Sequence, residues 1–102
     1  MDMQRLMAQA KKMQNSIASA EKELDETVYE GASGSDNAVV IRINGKHEVQ
    51  EVVIADDLMD HENKDMLQDL ITVAFGKAEE KLAADREAKM GAITGGVSFP
   101  GM

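Results

Sequence analysis

Hydrophobic residues recur at alternating steps of three and four along the first quarter of the chain. The positions are Met3, Leu6, Ala10, Met13, Ile17, Ala20 and Leu24. This spacing places them along one face of an α-helix, in the pattern of a helix that pairs with a second helix. A helix of about 22 residues is about 33 Å long, which is longer than a small domain is wide. We therefore expect part of it to project from the body or to pack on a second chain.

The pattern then changes to residues typical of β-strands and turns. Thr27–Ser33 is rich in β-branched and small residues and precedes the turn-forming stretch Gly34–Asn37, which together predict a strand and a turn. A second strand follows, in which alternate positions on one face hold Val39, Ile41 and Ile43. Asn44-Gly45 comes next and is a strong signal for a β-hairpin.

A third strand is predicted near residues 47–55, but its alternation is interrupted. Val52 and Ile54 share one face, whereas Val49 lies on the other. An extra residue in one strand of an antiparallel pair shifts the alternation in this way. We therefore expect a β-bulge or a change of partner near Gln50. Together the three strands predict an antiparallel meander.

An acidic segment rich in helix-capping residues, Asp56–Asn63, leads into a second long helix. The apolar stripe of this helix contains Leu67, Leu70, Ile71, Ala74, Phe75, Ala78 and Leu82. Gly91 is expected to end it. The predicted fold class is α+β, with a long helix, a three-stranded antiparallel meander and a long helix. These form one domain over residues 1–91, followed by a flexible glycine-rich tail over residues 92–102.

Length and composition restrict the class of protein further. The chain of 102 residues has room for one domain. Two long apolar seams are more than such a domain can bury, which favours a homodimer. The sequence has no cysteine and no run of about 18 apolar residues. We therefore expect a cytoplasmic protein without disulfides, thiolate metal sites or a membrane span.

Charge is distributed unevenly along the chain. The net charge is −8, which by itself argues against a nucleic-acid partner because Lys and Arg dominate phosphate binding. Residues 1–22, however, carry four basic and two acidic residues, whereas the remaining 80 carry 7 basic and 17 acidic ones. The positive charge therefore lies at one end of the sequence.

Four stretches, in this order, resemble the YbaB/EbfC family across almost the whole chain. They are the opening amphipathic helix with Met3, Gln4, Met7, Met13 and Gln14; the hairpin Val39–Gly45; the acidic link into Lys64–Ile71; and the ending with Lys89-Met90-Gly91, Thr94-Gly95-Gly96 and Pro100-Gly101. Two departures are minor: Asp57 stands where many relatives have proline, and His61 stands where proline or glutamate is common. The resemblance implies a tweezer-like homodimer with the sheets at its centre and the long helices as arms. It also implies double-stranded DNA as the partner, a location in the nucleoid, and neither catalysis nor a cofactor.

Basic side chains on the two helices are the candidates for contact with DNA phosphates. They are Arg5, Lys11, Lys12 and Lys22 on the first helix and Lys77, Lys81, Arg86 and Lys89 on the second. Phosphate contacts position a protein without reading the bases, so any sequence preference would come from DNA shape. The alternative is a solvated face, on which interleaved acids form i,i+4 ion pairs such as Asp85 with Lys81 and Lys89.

Other chemistry finds little support in the sequence. The acidic run of residues 56–65 lacks the glycine and ligand spacing of a calcium loop, and a lone histidine gives no zinc pattern. Helix capping explains the run more simply. His47 and His61 have no nucleophile at a recognisable spacing. The alternative to a DNA-binding homodimer is an acidic protein-interaction module that recruits replication or repair factors and touches DNA little.

Overall fold

The computed structural model describes residues 2–94 of the chain. Its regular elements are helix α1 (Met3–Glu26), strands β1 (Val28–Ser33), β2 (Val39–Asn44) and β3 (Val49–Ile54), and helix α2 (Lys64–Thr94). Short 3-10 turns lie at Ser35–Asn37, Asp56–Leu58 and His61–Asn63. The strands form one antiparallel sheet in the order β1-β2-β3. The predicted α+β fold, with a meander between two long helices, is confirmed.

Helix α1 is bounded by a side-chain cap at one end and a change to extended backbone at the other. The Asp2 carboxylate accepts a hydrogen bond from the Gln4 amide at 3.0 Å, which satisfies one of the free amides of the first turn. Only Ala20 and Leu24 of this helix are buried. Its N-terminal half therefore extends beyond the body, and the molecule measures 70 × 28 × 17 Å.

One face of the sheet is covered by α2 and the other is open, so that successive residues of a strand alternate between the two. Val39, Ile41 and Ile43 of β2 are buried under α2. Arg42 pairs with Glu51 of β3, whereas the next residue, Ile43, pairs with Val49, so that Gln50 is the extra residue of a bulge. Because Val49 lies on the face opposite Val52 and Ile54, the sequence predicted a β-bulge or a change of partner near Gln50, and the bulge is confirmed.

The hairpin between β2 and β3 forms at Asn44-Gly45, but Gly45 is required there for a reason other than turn geometry. The Asn44 side chain accepts hydrogen bonds from the Lys46 and Glu48 amides at 2.9 and 3.0 Å. The positive φ, 66°, belongs to His47. A Cβ at Gly45 would overlap the Leu24 carbonyl and lie 2.9 Å from the Asp25 nitrogen. Glycine is therefore needed because the last turn of α1 lies directly against the hairpin.

Helix α2 packs across β1 and β2 through its small residues. Ala74, Ala78 and Leu82 are its buried positions. A Cβ at Gly31 of β1 would overlap the Ala74 carbonyl oxygen and lie 2.5 Å from the Ala78 nitrogen. The helix and strand backbones thus approach each other more closely than any larger residue would allow.

Helix α2 continues through Gly91 to Thr94, so the prediction that Gly91 ends it is wrong. A glycine inside a helix costs only about 1 kcal/mol relative to alanine, and the residues around Gly91 favour helix. The Thr94 hydroxyl donates to the Met90 carbonyl at 3.0 Å. Residues 92–94, assigned to the tail from the sequence, are helical. The rest of the predicted tail, residues 95–102, lies outside the described residues.

The close approach at Gly31 gives a direct test of this packing. We expect Gly31→Ala to lower the free energy of unfolding by about 3 kcal/mol, because neither backbone can yield without separating α2 from β1. Gly76→Ala on α2 is the matched control, since a Cβ there meets nothing within 4 Å, and it should stabilise by up to about 1 kcal/mol. Urea unfolding of both variants measures the difference; equal effects would show that α2 is packed differently.

Candidate nucleic-acid interface

Three of the predicted phosphate-binding residues lie on the free N-terminal end of α1. We call residues 2–13 the arm; every residue from Asp2 to Lys12 is exposed. The arm carries Arg5, Lys11 and Lys12 against a single acid, Asp2. Within residues 2–94, none of these three cations forms an ion pair. Their charges are therefore available to an external anion.

The three cations flank the apolar stripe of the arm on both sides. At about 100° per residue, Arg5 and Lys12 fall about 100–120° to one side of Leu6, and Lys11 falls about 140° to the other. A polyanion facing the stripe could therefore be held by side chains that reach around the helix from both flanks.

Two of the candidates on α2 are engaged inside the molecule. Arg86 donates to the Glu21 carboxylate at 2.9 Å and to the Gly45 carbonyl at 3.4 Å. Lys89 lies 2.7 Å from the Asp85 carboxylate and 3.9 Å from Glu23. These contacts tie the second half of α2 to the last turns of α1 and to the hairpin. They make Arg86 and Lys89 weaker candidates for phosphate contact than the arm residues.

Lys22, Lys77 and Lys81 are exposed, and none of them has an ion-pair partner in the described part of the chain. Of the two i,i+4 pairs expected around Asp85, only that with Lys89 forms. Arg42, on the open face of the sheet, forms ion pairs with Glu30 at 2.6 Å and with Glu51. The hydrogen bonds that the Arg42 guanidinium donates to the Glu51 and then the Glu30 carboxylate raise the pKa of Arg42. The positive charge of Arg42 on the sheet is therefore neutralised by ion pairs within the molecule.

Comparison with known proteins identifies the relatives of this fold and charge pattern. A model of the YbaB/EbfC DNA-binding family matches residues 1–97. The chain belongs to that family. The resemblance seen in the sequence is thereby confirmed, and the exposed arm can be considered within a DNA-binding family.

Curated relatives match this YbaB/EbfC chain along almost its entire length. A nucleoid-associated protein of Anaeromyxobacter sp. (strain Fw109-5) is 39% identical over 102 residues, covering 100% of this chain and 98% of the relative. A nucleoid-associated protein of Chloroflexus aggregans is 37% identical over 97 residues, covering 95% and 96%. The crystal structure of uncharacterized protein HP0035 from Helicobacter pylori shares the fold, with a TM-score of 0.71 and 23% identity, over 86% of this chain and 91% of that one.

A buried tyrosine network beside the α1–α2 contact has no counterpart in the sequence-based predictions. The Tyr29 hydroxyl donates to the Asp85 carboxylate at 2.6 Å, and Lys89 donates to the same carboxylate at 2.7 Å. Burial, and then the Asp85 carboxylate, raise the pKa of Tyr29 to about 12. Lys89 and then Tyr29 lower the pKa of Asp85, which in turn raises the pKa of Lys89. Tyr29 and Asp85 are 56 residues apart in the sequence, so no local pattern could predict their contact.

The acidic run and the two histidines considered from the sequence all lie within the described residues. In residues 2–94, no group of three or more His, Asp or Glu side chains is arranged to hold a metal ion. His47 lies 2.7 Å from Glu79, and His61 lies 3.6 Å from Asp60. Among these residues, no helix is long and apolar enough to cross a membrane.

The Asp85 network predicts a dependence of stability on pH. The folded pKa of Asp85 lies below its ordinary 3.8. Its contribution is therefore fully present above about pH 4 and is lost as the pH falls through the folded value. We expect Asp85→Asn to destabilise the protein at pH 7 and to differ less from the parent near pH 3. Urea unfolding at the two pH values measures this.

Asp69→Asn is the control for this experiment. Asp69 lies on the same helix, is exposed, and forms no ion pair within residues 2–94. Its replacement should change stability little at either pH. A deficit of Asp85→Asn that is the same at pH 7 and pH 3 would contradict the network.

Proposed function

We propose that this protein is a non-enzymatic, nucleoid-associated protein that binds duplex DNA as a homodimer through phosphate contacts and DNA shape. The observation that carries the proposal is the arm, on which cations that form no ion pair within residues 2–94 are concentrated. Membership of a DNA-binding family, and curated relatives that are nucleoid-associated proteins, support the choice of partner. Location in the nucleoid follows from the same proposal.

The arrangement of charge reconciles DNA binding with a net charge of −8. Residues 2–13 carry three basic side chains and one acid, whereas residues 14–102 carry eight basic and 18 acidic ones. The acidic body would be repelled by phosphates, so a duplex would be approached through the arm. We expect modest affinity with a strong dependence on salt.

The exposed apolar surface supports the homodimer. Apart from the arm, the large exposed hydrophobic residues among residues 2–94 are Val28, Val49, Val52, Val53, Met59, Met66 and Val73. Most of them lie on the sheet, in the turn after it and at the start of α2, at the end of the molecule away from the arm. An interface there would leave one arm free on each protomer.

The acidic body also favours a second candidate function, a protein-interaction module that recruits replication or repair factors. Asp56, Asp57, Asp60, Glu62 and Asp65 surround the start of α2 and are exposed. A basic protein partner would complement this surface. The two functions differ in whether purified protein binds duplex DNA unaided.

We expect the protein to be an obligate dimer, because within residues 2–94 the apolar residues of the sheet, of the turn after it and of the start of α2 are left uncovered. Light scattering at micromolar concentration should report about twice the chain mass of 11.1 kDa. A well-folded monomer under these conditions would remove the homodimer from the proposal.

Removing the arm charges tests DNA binding directly. In Arg5→Gln, Lys11→Gln, Lys12→Gln, helicity should be kept because glutamine is a good helix former. Each lost phosphate contact contributes roughly 0.9 to the slope of log affinity against log salt, and a dimer carries every residue twice. We expect duplex affinity to fall several-fold or more and the slope to flatten by about one or more. Gel shift across a series of salt concentrations measures both quantities.

Lys77→Gln with Lys81→Gln is the matched control, since it removes exposed charge from α2. Its effect should be smaller, because Glu79, Glu80 and Asp85 lie nearby on the same helix. An arm variant with unchanged affinity and salt slope would refute contact through the arm. Phosphate contacts are strong at a low salt concentration of about 50 mM. If the parent fails to bind duplex even there, the protein-interaction module replaces DNA binding as the proposed function.

A further inference from the structure

The arm exposes large apolar side chains that phosphate contacts do not explain. Met3, Leu6 and Met7 are 70%, 45% and 68% exposed. Each apolar Å² left in water forgoes roughly 25 cal/mol, so a surface this exposed is expected to be covered by a partner. The three side chains lie within the first two turns of α1, at the N-terminal tip of the arm.

The charges around these side chains indicate which kind of partner would cover them. Arg5 lies between Met3 and Leu6 in the sequence, and Lys11 and Lys12 follow one turn later. The arm of a second copy would bring the same positive charges together, which disfavours pairing of arm with arm. An apolar tip flanked by cations that form no ion pair in the described part of the chain instead complements a polyanion with an apolar interior. Duplex DNA is such a polyanion, because its charged phosphates lie outside and its stacked bases inside.

We propose that Met3, Leu6 and Met7 form a wedge that enters a base step of the bound duplex, unstacks it and kinks the DNA, while the neighbouring cations hold the flanking phosphates. This inference rests on the proposed DNA binding. Met and Leu are among the side chains that architectural proteins insert between base steps, with kinks of about 20–90°. Their polar neighbours would not enter the stack.

The spacing of the wedge fits one base step. Met3 lies three and four residues before Leu6 and Met7, so the three side chains are neighbours, with Cβ atoms about 5–6 Å apart. Entry of one layer of side chains roughly doubles the spacing of about 3.4 Å between stacked base pairs, so that a single opened step has room for a patch of this size. Flexible pyrimidine–purine steps would cost least to open, so the wedge gives a physical origin for preference by DNA shape. A dimer would present two such wedges.

The test uses the full-length protein and a duplex of about 30 base pairs, a length on which a kink is readily resolved against smooth bending. A donor and an acceptor dye at the ends report bending, and 2-aminopurine beside a central TA step reports unstacking. The variant is Met3→Gln, Leu6→Gln, Met7→Gln, which keeps charge and helix propensity. Ala83→Gln with Ala84→Gln is the matched control, because it adds the same side chain at exposed helical positions outside both the arm and the apolar surface proposed for the dimer.

We expect the parent and the control to shorten the dye-to-dye distance and to raise 2-aminopurine fluorescence. The arm variant should keep its helicity and salt slope but lose at least about half of both signals, since the wedges account for the kink. The proposal is overturned if the parent binds without bending or unstacking, or if the arm variant bends DNA as the parent does. In either case DNA binding itself survives.

Two further readouts exclude other occupants of the stripe. Light scattering of the arm variant should give the mass of the parent; a loss of mass would show that a second copy covers the stripe and would overturn the wedge. Vesicles containing phosphatidylserine should bind the parent more weakly than the duplex does; tighter binding would assign the stripe to a lipid surface. Failure of the parent to bind duplex at all would remove the proposed function together with the wedge.

Discussion

The close approach of α2 to β1 determines where the other contacts between the helices and the sheet form. With glycine at position 31 and alanines at 74 and 78, the helix backbone lies directly on the strand. That contact sets the path of α2 along the sheet and carries its second half to the start of β1. There Asp85 meets Tyr29, and Arg86 meets Glu21.

These contacts decide which part of α1 is held and which is free. Arg86 and Lys89 reach Glu21 and Glu23, in the last two turns of α1, and the hairpin backs against Leu24 through Gly45. The described part of α2 reaches Thr94, beside the middle of α1, and within residues 2–94 the first turns of α1 have no neighbour. A basic, apolar arm is thus the geometric consequence of where α2 lies.

Periodicity was sufficient to predict the elements of this fold, because each depends on a local pattern. The bulge at Gln50 could be predicted from the phase of Val49 alone. The roles of Gly45 and Gly91 could not, since a glycine is equally compatible with a turn, a close contact or a helix interior. For the candidate interface, the sequence indicated all eight cations and ranked those of the second helix lower only because acids are interleaved among them. Only the tertiary contacts of Arg86 and Lys89 distinguish charges used within the molecule from those left for a partner.

The central claim is that the arm, and not the acidic body, meets DNA. Amide NMR spectra of the labelled protein, recorded while a short duplex is added, test this residue by residue. If the arm meets DNA, the largest shift changes fall on residues 2–13, with small changes at the acidic turns of residues 56–63 and on the open face of the sheet. Changes centred on the sheet or the acidic turns, with the arm signals unmoved, would contradict it.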